Sequence, residues 1–361
     1  MSPHHKRSPA ASPTTRVALA VAASLLCCAL FCSAAAAKGK ARPLYWGAQI
    51  GTQLTGTPAP YDMQALYGFE QNAGKPLSLL AVSAPFADCK QTPCRYYTFP
   101  GELLERIRLY GAIPFYNWAS QSTPSEAIEP DFQLSDLIDG QQDEYIRKFA
   151  EAARNWGHPF FLRFNWEMNG FWFPWNEGVN GNRPGEFIKA WRHVHRIFTG
   201  VGATNVNWVW CPNVDFTRKL TPLKDVYPGN KFVDWACLDG FNWGDTTYSA
   251  GWMSFNSIFR STYKRVVRIA KHKPMLIAET ASEERGGSKS RWIANALKVI
   301  PHDYPKVRGM IWFDEQSQGM NWPIESSPRA TRAFARGISR HVYRPNLYAN
   351  LPPGFIPPPH W

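Results

Sequence analysis

Eight apolar runs alternate with stretches of helical period along this chain, and that alternation constrains its fold more than any single residue does. The runs are Leu44 to Ile50, Leu77 to Ser83, Ile113 to Trp118, Pro159 to Trp166, Val206 to Cys211, Phe232 to Asn242, Pro274 to Glu279 and Val307 to Phe313. Helix-forming stretches separate them: Asp62 to Asn72, Pro100 to Tyr110, Asp139 to Trp156, Gly185 to Phe198, Phe255 to Lys271, Ser288 to Ile300 and Pro328 to His341. Short aromatic and β-branched runs read as buried strands, and strands separated by helices form parallel sheets. Eight units predict that the sheet closes into an α/β (β/α)8 TIM barrel, a single domain over residues 38–344. The fifth unit departs from the pattern, because Thr217 to Asn230 holds Pro222, Pro228 and Gly229 and excludes a long helix. The proline-rich tail, residues 345–361, is expected to be extended and to cover the outside of the barrel.

The first 37 residues stand apart from that pattern. Lys6, Arg7 and Arg16 precede an apolar segment, Val17 to Cys32, followed by Ser33 and Ala34 to Ala37. This is the layout of a secretory signal, so residues 1–37 are expected to be removed and a soluble, extracellular monomer to begin near Lys38. The apolar segment is short and no second one follows, so no membrane association is expected once it is gone. The chain carries a formal charge of +12, three of it in the signal. An excess of that sign suits anionic polymers. Lysines and arginines are nevertheless scattered along helical stretches such as Tyr263 to Lys273 rather than gathered in one motif, and no nucleic-acid partner is expected. Cys89 and Cys94 flank a polar loop and are expected to pair, whereas Cys211 and Cys237 lie in apolar runs and read as buried thiols. No histidine stands near the cysteines at metal spacing, and neither a metal nor an organic cofactor is expected.

A barrel gives meaning to position, because its active site forms at the C-terminal ends of the strands. The fourth run ends in Phe161-Leu-Arg-Phe-Asn-Trp-Glu-Met-Asn-Gly-Phe-Trp-Phe-Pro-Trp175. Packing explains Phe161, Leu162 and Phe164 but not Arg163 and Glu167, since charge on a buried strand is costly unless it is paired. A carboxylate among indoles suits a sugar, whose C–H faces stack on aromatic rings while its hydroxyls need a few fixed polar partners. Arg163, Asn165, Trp172 and Trp175 are therefore candidate substrate-binding residues around Glu167. A second carboxylate, Glu279, ends the seventh run. Alone it reads equally well as a helix cap. Glycosidic cleavage, however, needs a proton for the leaving oxygen and a carboxylate for the cationic sugar carbon, and strand ends four and seven face each other across a barrel mouth. Asn242, Trp243, Trp312 and Trp118 end other runs and are candidates to extend the cleft.

With Glu167-Met-Asn-Gly170 followed by Trp172, Phe173 and Trp175, with Leu238-Asp-Gly-Phe-Asn-Trp243, and with Lys273-Pro-Met-Leu-Ile-Ala-Glu279, the chain resembles glycoside hydrolase family 26. The resemblance implies a retaining (β/α)8 endo-hydrolase of β-linked polysaccharide, most often β-1,4-mannan, working without a cofactor. It assigns the acid/base to Glu167, the nucleophile to Glu279, a stacking platform to Trp172, and a place beneath the sugar to Trp312. Two positions depart from the family pattern: Trp166 stands where a histidine is usual, and Phe241 where a tyrosine is. Action on β-1,3-1,4-glucan or β-1,3-xylan, and a non-catalytic glycan-binding barrel, stay open as alternatives.

Overall fold

The computed structural model describes Met1 and residues 41–361, apart from 218, 248–250 and 347; the expected signal lies outside the described residues. Eight strands follow the eight runs: β1 Leu44–Ile50, β2 Leu79–Asp88, β3 Ile113–Thr123, β4 Phe160–Phe164, β5 Val206–Trp210, β6 Trp235–Asn242, β7 Met275–Ser282 and β8 Val307–Asp314. Each pairs in parallel with the next, and β1 pairs with both β2 and β8, so the sheet is a closed barrel. Two two-residue strands, Arg95–Tyr96 and Tyr343–Arg344, add to β2 and β1. Around the barrel stand α1 Met63–Ala73, α2 Gly101–Tyr110, α3 Leu134–Ile138, α4 Asp143–Trp156, α5 Glu186–Gly200, α6 Phe255–Ile269, α7 Lys289–Asp303 and α8 Pro328–Ile338. Asp62, Ser254, Ser288 and Ser327 start four of these by accepting a hydrogen bond from an otherwise unpaired backbone N–H of the first turn. The fifth unit has no α-helix, only single turns at Leu223–Asp225 and Asn230–Phe232.

Alternation along the strands divides the core into two layers. One set of side chains, including Tyr45, Leu79, Phe115, Phe161, Trp235, Leu276 and Ile311, fills the inside of the barrel. The other set, including Trp46, Leu80, Tyr116, Leu162, Trp210, Ile277 and Trp312, packs against the helices. Gly47 and Gly309 keep the inner layer from overfilling. A Cβ on Gly47 would stand 1.9 Å from the Leu79 carbonyl oxygen, and one on Gly309 would stand 2.4 Å from Leu276 Cδ2.

Two expectations are corrected here. The tail does not lie over the outside of the barrel: Tyr348 and Ile356 belong to the inner core. Ile356 donates its N–H to Asn207 Oδ1 at 2.7 Å, its carbonyl accepts from Trp235 Nε1 at 3.0 Å, and Tyr45 Oη donates to the Pro357 carbonyl at 2.8 Å. These partners sit at the beginnings of their strands, so the tail stops the barrel at the end opposite the strand C-termini. Cys211 and Cys237 are not free thiols but form a disulfide, as do Cys89 and Cys94. Both lie in the inner layer beside the adjacent strands β5 and β6, with Cα atoms 4.5 Å apart, a proximity set by strand register rather than by sequence spacing.

Overpacking of the inner layer is directly testable. Gly47→Ala is expected to cost at least about 3 kcal/mol, because the clash is with backbone that cannot move aside. Gly200→Ala, at the end of α5 with nothing within 4 Å, should be neutral or stabilising by up to about 1 kcal/mol. Thermal melts of the two proteins decide the matter, and equal melting temperatures would contradict this account of the core.

Candidate active site

A ring of polar side chains replaces the hydrocarbon layer at the C-terminal end of the barrel. Its centre is Arg163, fully buried on β4 and facing the barrel axis. Its Nη1 donates to Glu279 Oε1 at 2.6 Å and to Asn117 Oδ1 at 3.2 Å, and its Nη2 is ion-paired with Asp239. Asn117 in turn donates to Ser83 Oγ at 2.9 Å and to Gln49 Oε1 at 3.3 Å, and Gln49 donates to Glu315 at 3.0 Å. Strands β1 to β4, β6 and β7 therefore each place one polar group in this layer. The Trp166 ring lies over the guanidinium, 5.1 Å from centroid to Cζ, where a cation–π contact takes the place of a polar partner.

Glu167 enters this layer by a sharp turn. Asn165 and Glu167 both have left-handed backbones, with φ of 42° and 53°, a conformation that costs non-glycine residues about 1–3 kcal/mol and that the surroundings must hold in place. The holders are visible. Glu167 N–H donates to the Cys211 carbonyl at 2.7 Å, and the Glu167 carbonyl accepts from Asn176 Nδ2 at 3.0 Å. Asn176 Oδ1 also accepts from the N–H groups of Trp172 and Phe173, folding the loop back on itself. Gly170 permits this fold, since a Cβ there would meet the Trp172 ring at 2.7 Å. As a result Trp172 Nε1 donates to Glu167 Oε2 at 2.7 Å, while Asn213 Nδ2 donates to Oε1. Asn213 is aimed by a reciprocal pair of bonds with Asn169.

Glu279 reaches the same space by breaking alternation. Leu276 and Ala278 face inward, so a regular strand would turn Glu279 outward. The pairing of β7 shifts register between Leu238 and Asp239 on one side and between Ile277 and Thr280 on the other. Such an irregularity re-aims a side chain, and here it puts Glu279 opposite Asp239 on the axis. Carboxylate oxygens of Glu167, Asp239 and Glu279 lie within 4.8 Å of one another. Three carboxyls cannot all be ionised cheaply around one guanidinium. Asp239 and Glu279 hold the direct bonds to Arg163, and Glu167 does not. Burial, then the charge of Glu279, push Glu167 up to about 7, against the pull of Arg163 and the bonds from Trp172 and Asn213.

Of the residues expected around the site, Arg163, Glu167, Glu279 and Trp172 are brought together. Trp243 stands at the rim, against Phe241 and Trp322. The others lie elsewhere. Trp118 is buried between Phe86 and Phe149, and Trp312 between Trp292 and Phe334, both in the layer under the helices. Trp312 follows inward-facing Ile311 and so must point outward, leaving Phe313 toward the cleft against Phe241. Trp175 is buried behind the site and ties its indole to the Trp166 carbonyl at 2.7 Å. Asn165 spends its amide on Ser120, and Asn242 on Ser282 and the Met253 N–H, so both fix strand ends. Asp239 escaped sequence reasoning as a site residue, although charge on an apolar run could have found it. Asn213 is a candidate by its position just past the fifth apolar run, and it bonds to Glu167. Phe216, 63% exposed and 6.0 Å from Trp172, extends the aromatic surface and carried no sequence signal.

Comparisons with known proteins agree with this geometry. The family model for Glycosyl hydrolase family 26 matches residues 127–293, a segment that includes Glu167, Asp239 and Glu279. Endoglucanase H of Acetivibrio thermocellus is 36% identical over 233 residues, covering 63% of this chain and 26% of that protein. Beta-1,3-xylanase TXYA of Vibrio sp is 26% identical over 131 residues, 33% of this chain and 26% of that protein. The chain thus spans about a quarter of the length of either relative. An endo-beta-1,4-mannanase of Cellulomonas fimi superposes with a TM-score of 0.64 at 16% identity, covering 88% of this chain and 75% of that one, which shows a shared fold. The matched segment, the closed barrel and the carboxyl pair at its mouth together make the chain similar to glycosyl hydrolase family 26.

Proposed function

We propose that the chain is a retaining endo-glycoside hydrolase of a β-linked polysaccharide, with Glu279 as nucleophile and Glu167 as acid/base. The observation that carries this reading is the separation of the two carboxyls. One oxygen of each lies within 4.8 Å of the other, which fits the close spacing of about 5–5.5 Å used for direct attack on the sugar better than the about 6.5–9.5 Å that an intervening water needs. In the first step Glu167 gives its proton to the leaving oxygen while Glu279, anchored by Arg163, bonds to the anomeric carbon. In the second, ionised Glu167 takes a proton from the water that displaces Glu279. Trp172 and Asn213 donate to the ionised form and so stabilise it for that second step. Trp172, Phe171 and Phe216 form the exposed aromatic surface on which sugar rings would stack.

Among substrates, β-1,4-mannan is the commonest in the family that the chain resembles. The 36% identity with a protein named as an endoglucanase nevertheless favours a β-glucan, with mixed-linkage β-1,3-1,4-glucan first and β-1,3-xylan behind it. Two disulfides suit an oxidising compartment, which supports export, and no oligomer is needed to complete the site. Protein collected from culture medium, shown by intact mass to begin near Lys38, should release reducing sugar from lichenan faster than from mannan, galactomannan or xylan. Retention by these glycans with no product from any of them would instead identify a binding barrel that has lost turnover.

The two glutamates should fail differently. Glu279→Gln is expected to abolish the glycosyl-enzyme and lower kcat by at least about 10³-fold on every substrate. Glu167→Ala should retain the most activity on aryl glycosides with good leaving groups, and added azide should restore turnover as a glycosyl azide. Parental activity in a correctly folded Glu279→Gln protein would remove the catalytic assignment.

The pH profile offers a separate check. Glu167 must be protonated in the free enzyme, so kcat/KM should fall as pH rises through about 7. Trp172→Phe deletes a hydrogen bond to the charged form, so the residue should hold its proton more tightly and the falling limb should move to higher pH. A limb that stays in place in this variant, or moves down, would disconnect it from Glu167.

A further inference from the structure

A groove of about 650 Å³ runs along the outer wall of the barrel between α7 and α8, away from the strand ends that form the catalytic site. On one side its edge is Arg329, Arg332 and Arg336 of α8, spaced so that all three share one face of the helix, with Arg340 just past the helix end. On α7 the facing edge is Arg291, Lys298 and His302, at matching intervals. The floor is small: Ala294, Ala333 and Gly337, the last so close to α7 that a Cβ would meet Leu297 Cδ1 at 2.2 Å. No carboxylate lines the groove. Among the described residues no acidic side chain forms an ion pair with Arg291, Lys298, Arg329, Arg332 or Arg336. All five of these side chains are exposed.

Like charges three and four residues apart destabilise a helix by about 0.2–0.5 kcal/mol per pair, and α8 carries them with no acidic residue between. Two such helices side by side focus positive potential into the groove between them, over a length of about 16 Å for eleven residues at 1.5 Å each. We propose that this groove holds a carboxylate-bearing polysaccharide, a polyuronate chain, as a binding surface separate from the catalytic cleft. Guanidinium forks match carboxylates in two-point contacts, and a linear acidic glycan presents carboxylates at regular intervals along a narrow chain. The cleft offers no such row of cations, because Arg163, the cation at its centre, is buried and paired with Asp239 and Glu279. Single-stranded nucleic acid fits less well, since its retention relies on aromatic platforms and no Phe, Tyr or Trp lines the groove.

Fluorescence anisotropy with labelled oligogalacturonate, at low salt, tests the proposal on the full mature protein. Arg329→Gln/Arg332→Gln/Arg336→Gln should weaken binding at least tenfold while leaving hydrolysis of a neutral β-glucan within twofold of the parent. The control, Lys90→Gln/Arg147→Gln/Lys271→Gln, removes the same charge from exposed positions elsewhere and should change binding less than twofold. Equal loss in the two triple variants, with matching thermal melts, would reduce the groove to general basic charge and overturn the proposal. So would a DNA duplex that binds the parent more tightly than oligogalacturonate and displaces it.

Discussion

The buried guanidinium of Arg163 is the constraint on which the polar, C-terminal end of this barrel depends. A charge with no exposed surface is tolerable only if its partners are fixed, and here they come from three other strands: Asn117 from β3, Asp239 from β6 and Glu279 from β7. The same bonds that satisfy Arg163 orient Glu279 and leave Glu167 as the carboxyl without a direct cationic partner. One cation among three acids thus creates unlike environments for two glutamates of identical chemistry. Removing either acid bonded to Arg163 would leave the guanidinium underpaired in a site it cannot leave, so its neighbours are bound to it energetically as well as geometrically.

Trp166 and Phe241 bear on that balance from the two sides. An indole over the guanidinium screens it from water and adds no acceptor, so the hydrogen bonds of Arg163 go to Asp239, Glu279 and Asn117. Phe241 joins Trp243, Phe313 and Trp322 in an apolar wall at the rim. At the two positions where the family resemblance implies a histidine and a tyrosine, the contacts are thus those of an indole and a phenyl ring. A drier surrounding strengthens each remaining electrostatic interaction and is consistent with the raised proton affinity of Glu167.

The barrel was legible because its eight apolar runs and intervening helical stretches are long and regular enough for period and length to agree. Arg163, Glu167 and Glu279 were legible because ionisable residues interrupt runs that should bury only hydrocarbon. What failed was the choice of face. Trp118, Trp312 and Asn242 stand at or near the ends of apolar runs, but a strand has two sides, and counting from an inward neighbour such as Ile311 sends Trp312 to the helices. The same count would have sent Glu279 there too, and only a register shift between neighbouring strands corrects it. Registers are relations between segments far apart in the chain. For that reason the pairing of Cys211 with Cys237 and the seating of the tail were equally invisible.

That seating orders the birth of the molecule. Tyr348 and Ile356 complete an interior whose walls are built from residues 44 to 314, and they lie beyond the eighth strand. On a ribosome all eight strands can emerge while the base of the barrel is still open and its inner hydrocarbon wet. The native interior is sealed only once residues 348 to 356 have emerged as well, so this short segment, last among the parts of the inner core, decides when the barrel's hydrocarbon leaves water.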